Sequence, residues 1–321
     1  FAADYAGVVE PPKCMPSTGK RIAVVGGGPG GLSAAYYLQL MGHQTTVFEM
    51  LPKLGGMLRY GIPNYRLPKD RLEDDINSIL KTGVKVKFGV KVGRDVTIQK
   101  LRSEYDAVLI TIGASADRRL GLPGEDAEGV LSAVEFLRNV GMDEMMDMTG
   151  KEVVVIGGGN VSMDVVRTAK RFGAKKVSIL YRRRRNDMTA LPTEIEGAIA
   201  EGVEILTLKA PASLDVDEDG KIRGVYAAPQ IISAIKDGRA SVKNSGEPDV
   251  YIPCDLLIRA IGQAIEYTHF EEAGVPVSRG KIITQSSGAF ENMPGVFAGG
   301  DCASGPASVI QAIAAAKVVA A

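Results

Sequence analysis

Paired cysteines are missing from this sequence. Its three thiols, Cys14, Cys254 and Cys302, lie far apart with no CxxC or CxxxxC spacing. That excludes a disulfide scaffold, a zinc site or a dithiol redox centre carried by this chain. Net charge is missing too: 38 basic and 38 acidic side chains cancel, whereas a protein living on nucleic acid shows a basic excess. No run approaches the roughly 18 uncharged apolar residues of a membrane span; the most apolar tail, SVIQAIAAAKVVAA, is broken by Gln311 and Lys317. The opening FAADYAGVVEPPK has neither the basic start nor the apolar centre of a secretory signal, and no initiator methionine. The far end stops inside an unfinished helical pattern. A piece of a longer, cytoplasmic polypeptide is the expectation. Histidine is scarce: His43, in the turn MGHQ, and His269, in IEYTHFEEAG, read as surface residues. No serine, histidine and acid share a triad context, so neither a catalytic side chain nor a metal ligand is expected.

What the sequence does contain is a repeat. The 321 residues suffice for two domains, each with its own core. KRIAVVGGGPGGLSAAYYLQLMGHQTTVFE begins at Lys20 and KEVVVIGGGNVSMDVVRTAKRFGAKKVSILYR at Lys151. Each reads as a buried strand, a glycine turn, a helix and a second strand. The runs Ile22–Val25 and Val153–Ile156 are short and β-branched, as central parallel strands require. The helices carry apolar residues at helical spacing (Leu32, Ala35, Tyr36; Met163, Val166, Ala169) and stop at Gly42 and Gly173, left-handed C-cap positions. Two such units mean two nucleotide sites, or one site and a degenerate copy.

The first unit carries Gly26-x-Gly28-x-x-Gly31. In this fingerprint the first glycine makes the turn, the second admits a pyrophosphate and the third lets helix and strand approach. Phosphates there meet unpaired N–H groups at a helix start. Glu49 ends the second strand; it reads as an acceptor for ribose hydroxyls that would repel a 2′-phosphate, the alternative being a solvated strand end. The second unit has Gly157-x-Gly159-x-x-Ser162. The step of 23 residues from Gly26 to Glu49, repeated from Gly157, lands on Leu180, with Tyr181 and then Arg182 to Arg185 following. Guanidinium groups grip phosphate with two parallel hydrogen bonds. The second unit therefore reads as selecting NADP(H), and the first as taking a nucleotide with a free 2′-hydroxyl, such as FAD. Arg184 and Arg185 read as charged surface. Asp164 and Arg167 read either as an i,i+3 surface pair or as part of a nicotinamide site.

GGGPGG together with LGGMLRYGIPNYRLPKD (54–70), YDAVLITIGA (105–114) and GVFAGGD (295–301) resembles the glutamate synthase small-subunit family of flavoproteins. Relatives of that family include the flavin–NADPH part of dihydropyrimidine dehydrogenase and the NADPH-dependent ferredoxin oxidoreductases. The resemblance implies an α/β fold with two Rossmann-like domains. After a linker over 1–19, an NADP(H) domain (120–262) would be inserted into a discontinuous FAD domain (20–119 and 263–321). FAD would lie on Gly26, Gly28, Pro29, Gly30 and Gly31, with Glu49 on the ribose. Gly56, Met57, Arg66 and Gly113 would line it, with Val92 near the adenine and Asp301 on the ribityl–phosphate section. NADP(H) would lie on Gly157, Gly159, Asn160 and Val161. Arg182 and Arg183 would meet its 2′-phosphate, and Ala260, Ile261 and Gly262 would sit near the crossing back.

Residue chemistry adds to this. GVFAGGD is an apolar strand ending in two glycines and an acid, and SGPASVIQAI starts a helix. Gly299 and Gly300 admit a ligand to the backbone, and the helix start over Pro306, Ser308 and Val309 can receive negative charge. Asp301 would repel phosphate, so a sugar hydroxyl suits it, a structural turn being the alternative. Departures from the family limit the resemblance. The cysteine-rich iron–sulfur domain of many members is absent, one cysteine at Cys14 cannot hold a cluster, and LGGMLRYG lacks the cysteine pair of disulfide reductases. The expected activity is hydride transfer between NADPH and FAD. Electrons would pass to an iron–sulfur domain or subunit, or a ferredoxin, outside this chain; the reverse direction is equally compatible. The rivals are a non-catalytic NADP(H)/FAD-binding module and a nucleic-acid binder using the basic stretch from Lys170 to Arg185.

Overall fold

β1 (Arg21–Val25) is buried from its second residue onward, as the unbroken apolar run IAVV requires of a strand covered on both faces. In the computed structural model, described for residues 11–321 except 145 and 237, β1 pairs in parallel with β2 (Gln44–Glu49) and β4 (Ala107–Ile110). β3 (Lys85–Phe88) extends the sheet beyond β2, and a strand from far along the chain, β14 (Val296–Ala298), extends it beyond β4. The order of this five-stranded sheet is β14-β4-β1-β2-β3.

Strand alternation assigns the two faces. Ile22 and Val24 pack with Leu32, Ala35 and Leu38 of α1 (Pro29–Leu40), and with Ala316 and Ala320 of a late helix, α10 (Val309–Ala320). Ala23 and Val25 pack on the other side with Phe48, Ile98 and Phe270. Each such valine, leucine or isoleucine contributes about 1.5–3 kcal/mol on burial. α1 begins on Pro29, whose fixed φ suits a first helical position, and ends before Gly42 at φ +87°.

The second unit repeats the plan. β6 (Glu152–Ile156) and β7 (Lys176–Tyr181) flank α6 (Asn160–Arg171), and β8 (Glu204–Thr207) follows α7 (Pro192–Ala200). With β5 (Val130–Ser132) and β13 (Leu256–Arg259) they form a parallel sheet of order β5-β13-β6-β7-β8. One layer had no counterpart in the sequence reading: an antiparallel sheet of β9 (Lys209–Val216), β10 (Ile222–Lys236), β11 (Arg239–Asn244) and β12 (Val250–Pro253).

The described residues divide into two compact units, 11–116 with 264–321, and 117–263. The division between the units falls at 116/117 and 263/264. Residues 1–10 of the expected linker lie outside the described residues. Among those described, no helix is long and apolar enough to cross a membrane.

Candidate functional site

In the first unit the glycines after β1 divide into two kinds. Gly31 faces the carbonyl oxygen of Gly26 so closely that any side chain would collide with it, so this glycine serves the packing of α1 on β1. Gly28 differs. Its backbone (φ −79°, ψ −177°) suits any residue, and a Cβ there would meet nothing nearer than Gly56 Cα at 3.7 Å. The protein does not need glycine at 28 for itself; the residue leaves an open cradle. No side chain caps the helix that starts beside it, so the N–H groups of its first turn remain for an anion. By contrast, Ser308 caps α10 and pairs reciprocally with Gln311.

Glu49 stands at the rim of this cradle, at the end of β2, only 5 % exposed. It is therefore not a solvated strand end. Its Oε2 accepts the N–H of Gly27 at 2.7 Å and its Oε1 that of Leu51 at 2.8 Å. Burial pushes its carboxyl above the ordinary value, against the opposing N–H groups of Leu51, Gly27 and Met50. Each oxygen keeps a lone pair for a further donor.

The stretch 54–70 is tied back to the same turn, since Gly55 donates its N–H to the Gly27 carbonyl at 2.8 Å. Gly56 and Met57 open the short helix α2 (Met57–Tyr60). Sequence reasoning missed Arg59, which is 6 % exposed; its guanidinium bonds the Leu54 carbonyl and the Glu73 carboxylate. Lys69 turns inward, donating to the carbonyls of Leu58 and Ile62. Arg66 is half-buried. Gly113 follows β4 at φ +67°, and Thr111 beside it donates to the Val25 carbonyl at 3.0 Å. The side chain of Val92 belongs to the core, packed with Phe48.

Past β14, Gly300 (φ +74°) leads into the single turn Asp301–Ser304. The half-buried Asp301 carboxyl is pushed up by burial, with the Ala307 N–H opposing. α10 begins at Val309, so Pro306 lies outside the helix. The thiol of Cys302 is wholly buried against the carbonyls of Ile110 and Gly299 and is pushed up to about 11 by burial. It is a packing residue.

The second unit has the same cradle. Gly159 precedes α6 with an ordinary backbone (φ −99°, ψ 177°) and no side-chain cap; a Cβ there would meet only Thr189 Oγ1 at 3.5 Å. Ser162 occupies the third fingerprint position, completely buried and without a hydrogen bond to its hydroxyl. Asn160 is exposed, its Oδ1 held by the Leu191 N–H at 2.9 Å, and Val161 is half-buried. The N–H groups of Thr189 and Ala190 both close on the Gly158 carbonyl, at 3.0 and 3.1 Å. Ala260 follows β13, its carbonyl crowding Gly157; Ile261 is exposed, and Gly262 (φ +133°) accepts the Arg118 N–H at 3.1 Å.

The register corrects one expectation. Phe48 lies opposite Val25 and Glu49 ends the strand; Leu180 lies opposite Ile156 and Tyr181 ends its strand. The counterpart of Glu49 is therefore Tyr181, because the turn between α6 and β7 is one residue longer than that between α1 and β2. The Tyr181 ring packs so tightly on Gly158 that no side chain fits there, and its hydroxyl donates to the Asp187 carbonyl at 2.7 Å.

Half of the basic side chains from Lys170 to Arg185 are paired with carboxylates. Arg171 pairs with Glu201, Lys175 with Glu152, Lys176 with Glu204 and Arg184 with Asp187. Arg184 is thus no idle charged surface. Arg183 is half-buried with its Nε on the Ala240 carbonyl at 2.7 Å, and Arg182 is exposed. Asp164 and Arg167 are not a surface pair either: Asp164 is 4 % exposed, and Arg167 is held by Glu194 and Glu201. His269 is half-exposed, and His43 bonds Thr18.

Two parallel sheets, each with an open glycine cradle before a helix without a side-chain cap, make an α/β frame with a place for an anion in each unit. A family model described as pyridine nucleotide-disulphide oxidoreductase matches residues 20–316, and the chain belongs to that family. It is 41 % identical over 301 residues to the NADP(+)-dependent formate dehydrogenase subunit beta of Moorella thermoacetica, covering 93 % of this chain and 42 % of that one. It is 36 % identical over 314 residues to the glutamate synthase [NADPH] small chain of Escherichia coli K12, covering 92 % of this chain and 66 % of that one. The chain spans about half the length of several relatives it matches. FprA from Mycobacterium tuberculosis superposes with a TM-score of 0.80 at 22 % identity, covering 95 % of this chain and 83 % of that one, a likeness of fold. FAD and NADP(H) are the cofactors of this kind of oxidoreductase.

Proposed function

We propose that this chain is the NADPH–FAD oxidoreductase portion of a larger electron-transfer protein, built as two Rossmann-like domains with the NADP(H) domain inserted into the FAD domain. The observation that carries the reading is the contrast between the two strand ends. Glu49 offers a buried carboxylate to hydroxyl donors, while Tyr181 is followed directly by Arg182 and Arg183, which like Arg185 have no carboxylate partner among the described residues, only Arg184 being paired. The open cradles at Gly28 and Gly159 fit a pyrophosphate in both units.

In the first unit Gly28, Pro29 and Gly30 would receive the FAD pyrophosphate, Glu49 its ribose, and Gly300, Asp301, Ser308 and Val309 its ribityl–flavin end. In the second, Gly159, Asn160 and Val161 would receive the NADP(H) pyrophosphate and Arg182 and Arg183 the 2′-phosphate. When bound, the two cofactors supply the redox chemistry, a hydride passing between nicotinamide and flavin without a side-chain acid or base. The chain's own residues bind and orient. Electrons would leave singly to an iron–sulfur domain or subunit or a ferredoxin, in a cytoplasmic setting. Relatives named as a formate dehydrogenase subunit and a glutamate synthase small chain support such an assembly.

Anaerobic stopped-flow mixing of the FAD-loaded protein tests the proposal. NADPH should bleach the flavin, and NADH should do so only at much higher concentration. A flavin that stays oxidised with NADPH would instead establish a non-catalytic binding module.

A further inference from the structure

Ala240, on β11, and Asp187 are 53 residues apart in sequence, yet the Ala240 N–H donates to Asp187 Oδ1 at 3.2 Å. The same carboxylate accepts three more donors, all from Arg184: the backbone N–H at 3.2 Å, Nε at 2.8 Å and a terminal nitrogen at 3.0 Å. The other backbone group of Ala240, its carbonyl, accepts Nε of Arg183 at 2.7 Å. The Asp187 carbonyl in turn accepts the Tyr181 hydroxyl. One residue of β11 and one carboxylate thus fix Arg183 and Arg184 and anchor the segment's far end, while Arg182 stands exposed.

Four consecutive guanidinium groups repel one another and, unrestrained, spread apart. Binding a phosphate with a spread run means ordering long side chains at the moment of binding, about 0.5–1.5 kcal/mol for each. The clamp removes that cost beforehand. It neutralises Arg184, points Arg183 by its Nε while sparing its terminal nitrogens, and sets the backbone path on which Arg182 is displayed.

We propose that Asp187 is the positioning residue for discrimination between NADP(H) and NAD(H), clamping Arg184 and the Ala240 peptide so that Arg182 and the free end of Arg183 face the 2′-phosphate. This rests on the reading of the second unit as an NADP(H) site. In this proposal Asp187 does not meet the nucleotide: its carboxylate would repel a phosphate, and four protein donors already occupy it.

The test is Asp187→Asn in the FAD-loaded protein, with steady-state kinetics for NADPH and NADH and a thermal melt. KM for NADPH should rise about tenfold or more, the worth of one charge-assisted hydrogen bond, with kcat and the KM for NADH unchanged. Asp187→Glu should recover most of the loss. Arg184→Gln opens the same clamp from its exposed side, so it should produce the same selective rise, and it carries the test if Asp187→Asn fails to fold. Equal increases of KM for both nucleotides would show a merely structural role and overturn the proposal. Arg182→Ala separates the two ideas. If it weakens NADPH alone while Asp187→Asn and Arg184→Gln leave the KM for NADPH untouched, the clamp is wrong and the NADP(H) reading stands. If it weakens both nucleotides alike, that reading falls.

Discussion

Glu49 holds the N–H of Gly27 at 2.7 Å, so the residue that would meet the ribose also fixes the turn that would receive the phosphates. Glu49→Gln keeps the shape and one acceptor but loses the charge. FAD affinity should fall by about 1.5–3 kcal/mol, the worth of a hydrogen bond to a charged group, as measured by the fluorescence of released flavin. The pH dependence has a definite sign. Burial raises the folded carboxyl above 4.5, so in the FAD-free protein its contribution to stability is full below that value and is lost as pH rises through the raised one. Ribose hydroxyls donate to the ionised form, so FAD should bind more tightly as pH climbs through the same window. In the glutamine variant both slopes should vanish.

Gly28 and Gly31 should respond to alanine in opposite ways. Gly28→Ala meets no clash in the protein, so it should melt near the parent temperature yet fail to retain FAD. Gly31→Ala meets the Gly26 carbonyl, so it should lose about 1–3 kcal/mol of stability through overpacking. Denaturant melts with and without added FAD distinguish the two. A Gly28→Ala protein that purifies yellow would refute the assignment of the cradle.

Arg182→Ala and Arg183→Ala should each weaken NADPH by about 1.5–3 kcal/mol and leave NADH nearly unchanged. Inhibitor titrations with 2′-phospho-AMP against AMP provide the check. Equal losses for both would remove the 2′-phosphate assignment.

One thiol should react in the native protein. Cys14 is exposed, whereas Cys254 and Cys302 are buried and pushed up to about 12 and about 11, chiefly by that burial. A chromogenic disulfide reagent near pH 8 should titrate a single group until denaturant is added. Replacing Cys14 by serine should leave NADPH-dependent flavin reduction intact. Loss of activity would mean that thiol chemistry takes part after all.

Much of this architecture is legible in the chain because local signals carry it. The runs at Ile22–Val25 and Val153–Ile156, the glycine turns and the stops at Gly42 and Gly173 act within a dozen residues, and the strands and helices form where they indicate. The antiparallel layer is of another kind. β10 pairs with β9 and β12 along its first part and with β11 along its second, around Pro229, and nothing local announces three partners. The same limit hid the fate of the arginines. A row of cations looks uniform until Asp187 and the Ala240 peptide single out two of them. Counting from Gly157 also missed Tyr181 by one residue, since one extra residue in a helix-to-strand turn leaves no mark on the hydrophobic pattern.

β14 and α10 close the first sheet and its core, although they lie beyond residue 290, while the second unit is one continuous stretch from 117 to 263. A consequence follows for a chain emerging from the ribosome. Residues 117–263 can mature before the unit that brackets them does, and β1 and α1 must wait, with Ile22, Val24 and Ala35 uncovered by α10, until residues 309–320 have been made. Domains generally fold as units during synthesis. Pulse proteolysis of stalled nascent chains ending near residue 290 should therefore find 117–263 protected and 20–116 still open to cleavage. Of the two units, the one proposed to bind FAD would be the later to become able to hold its cofactor.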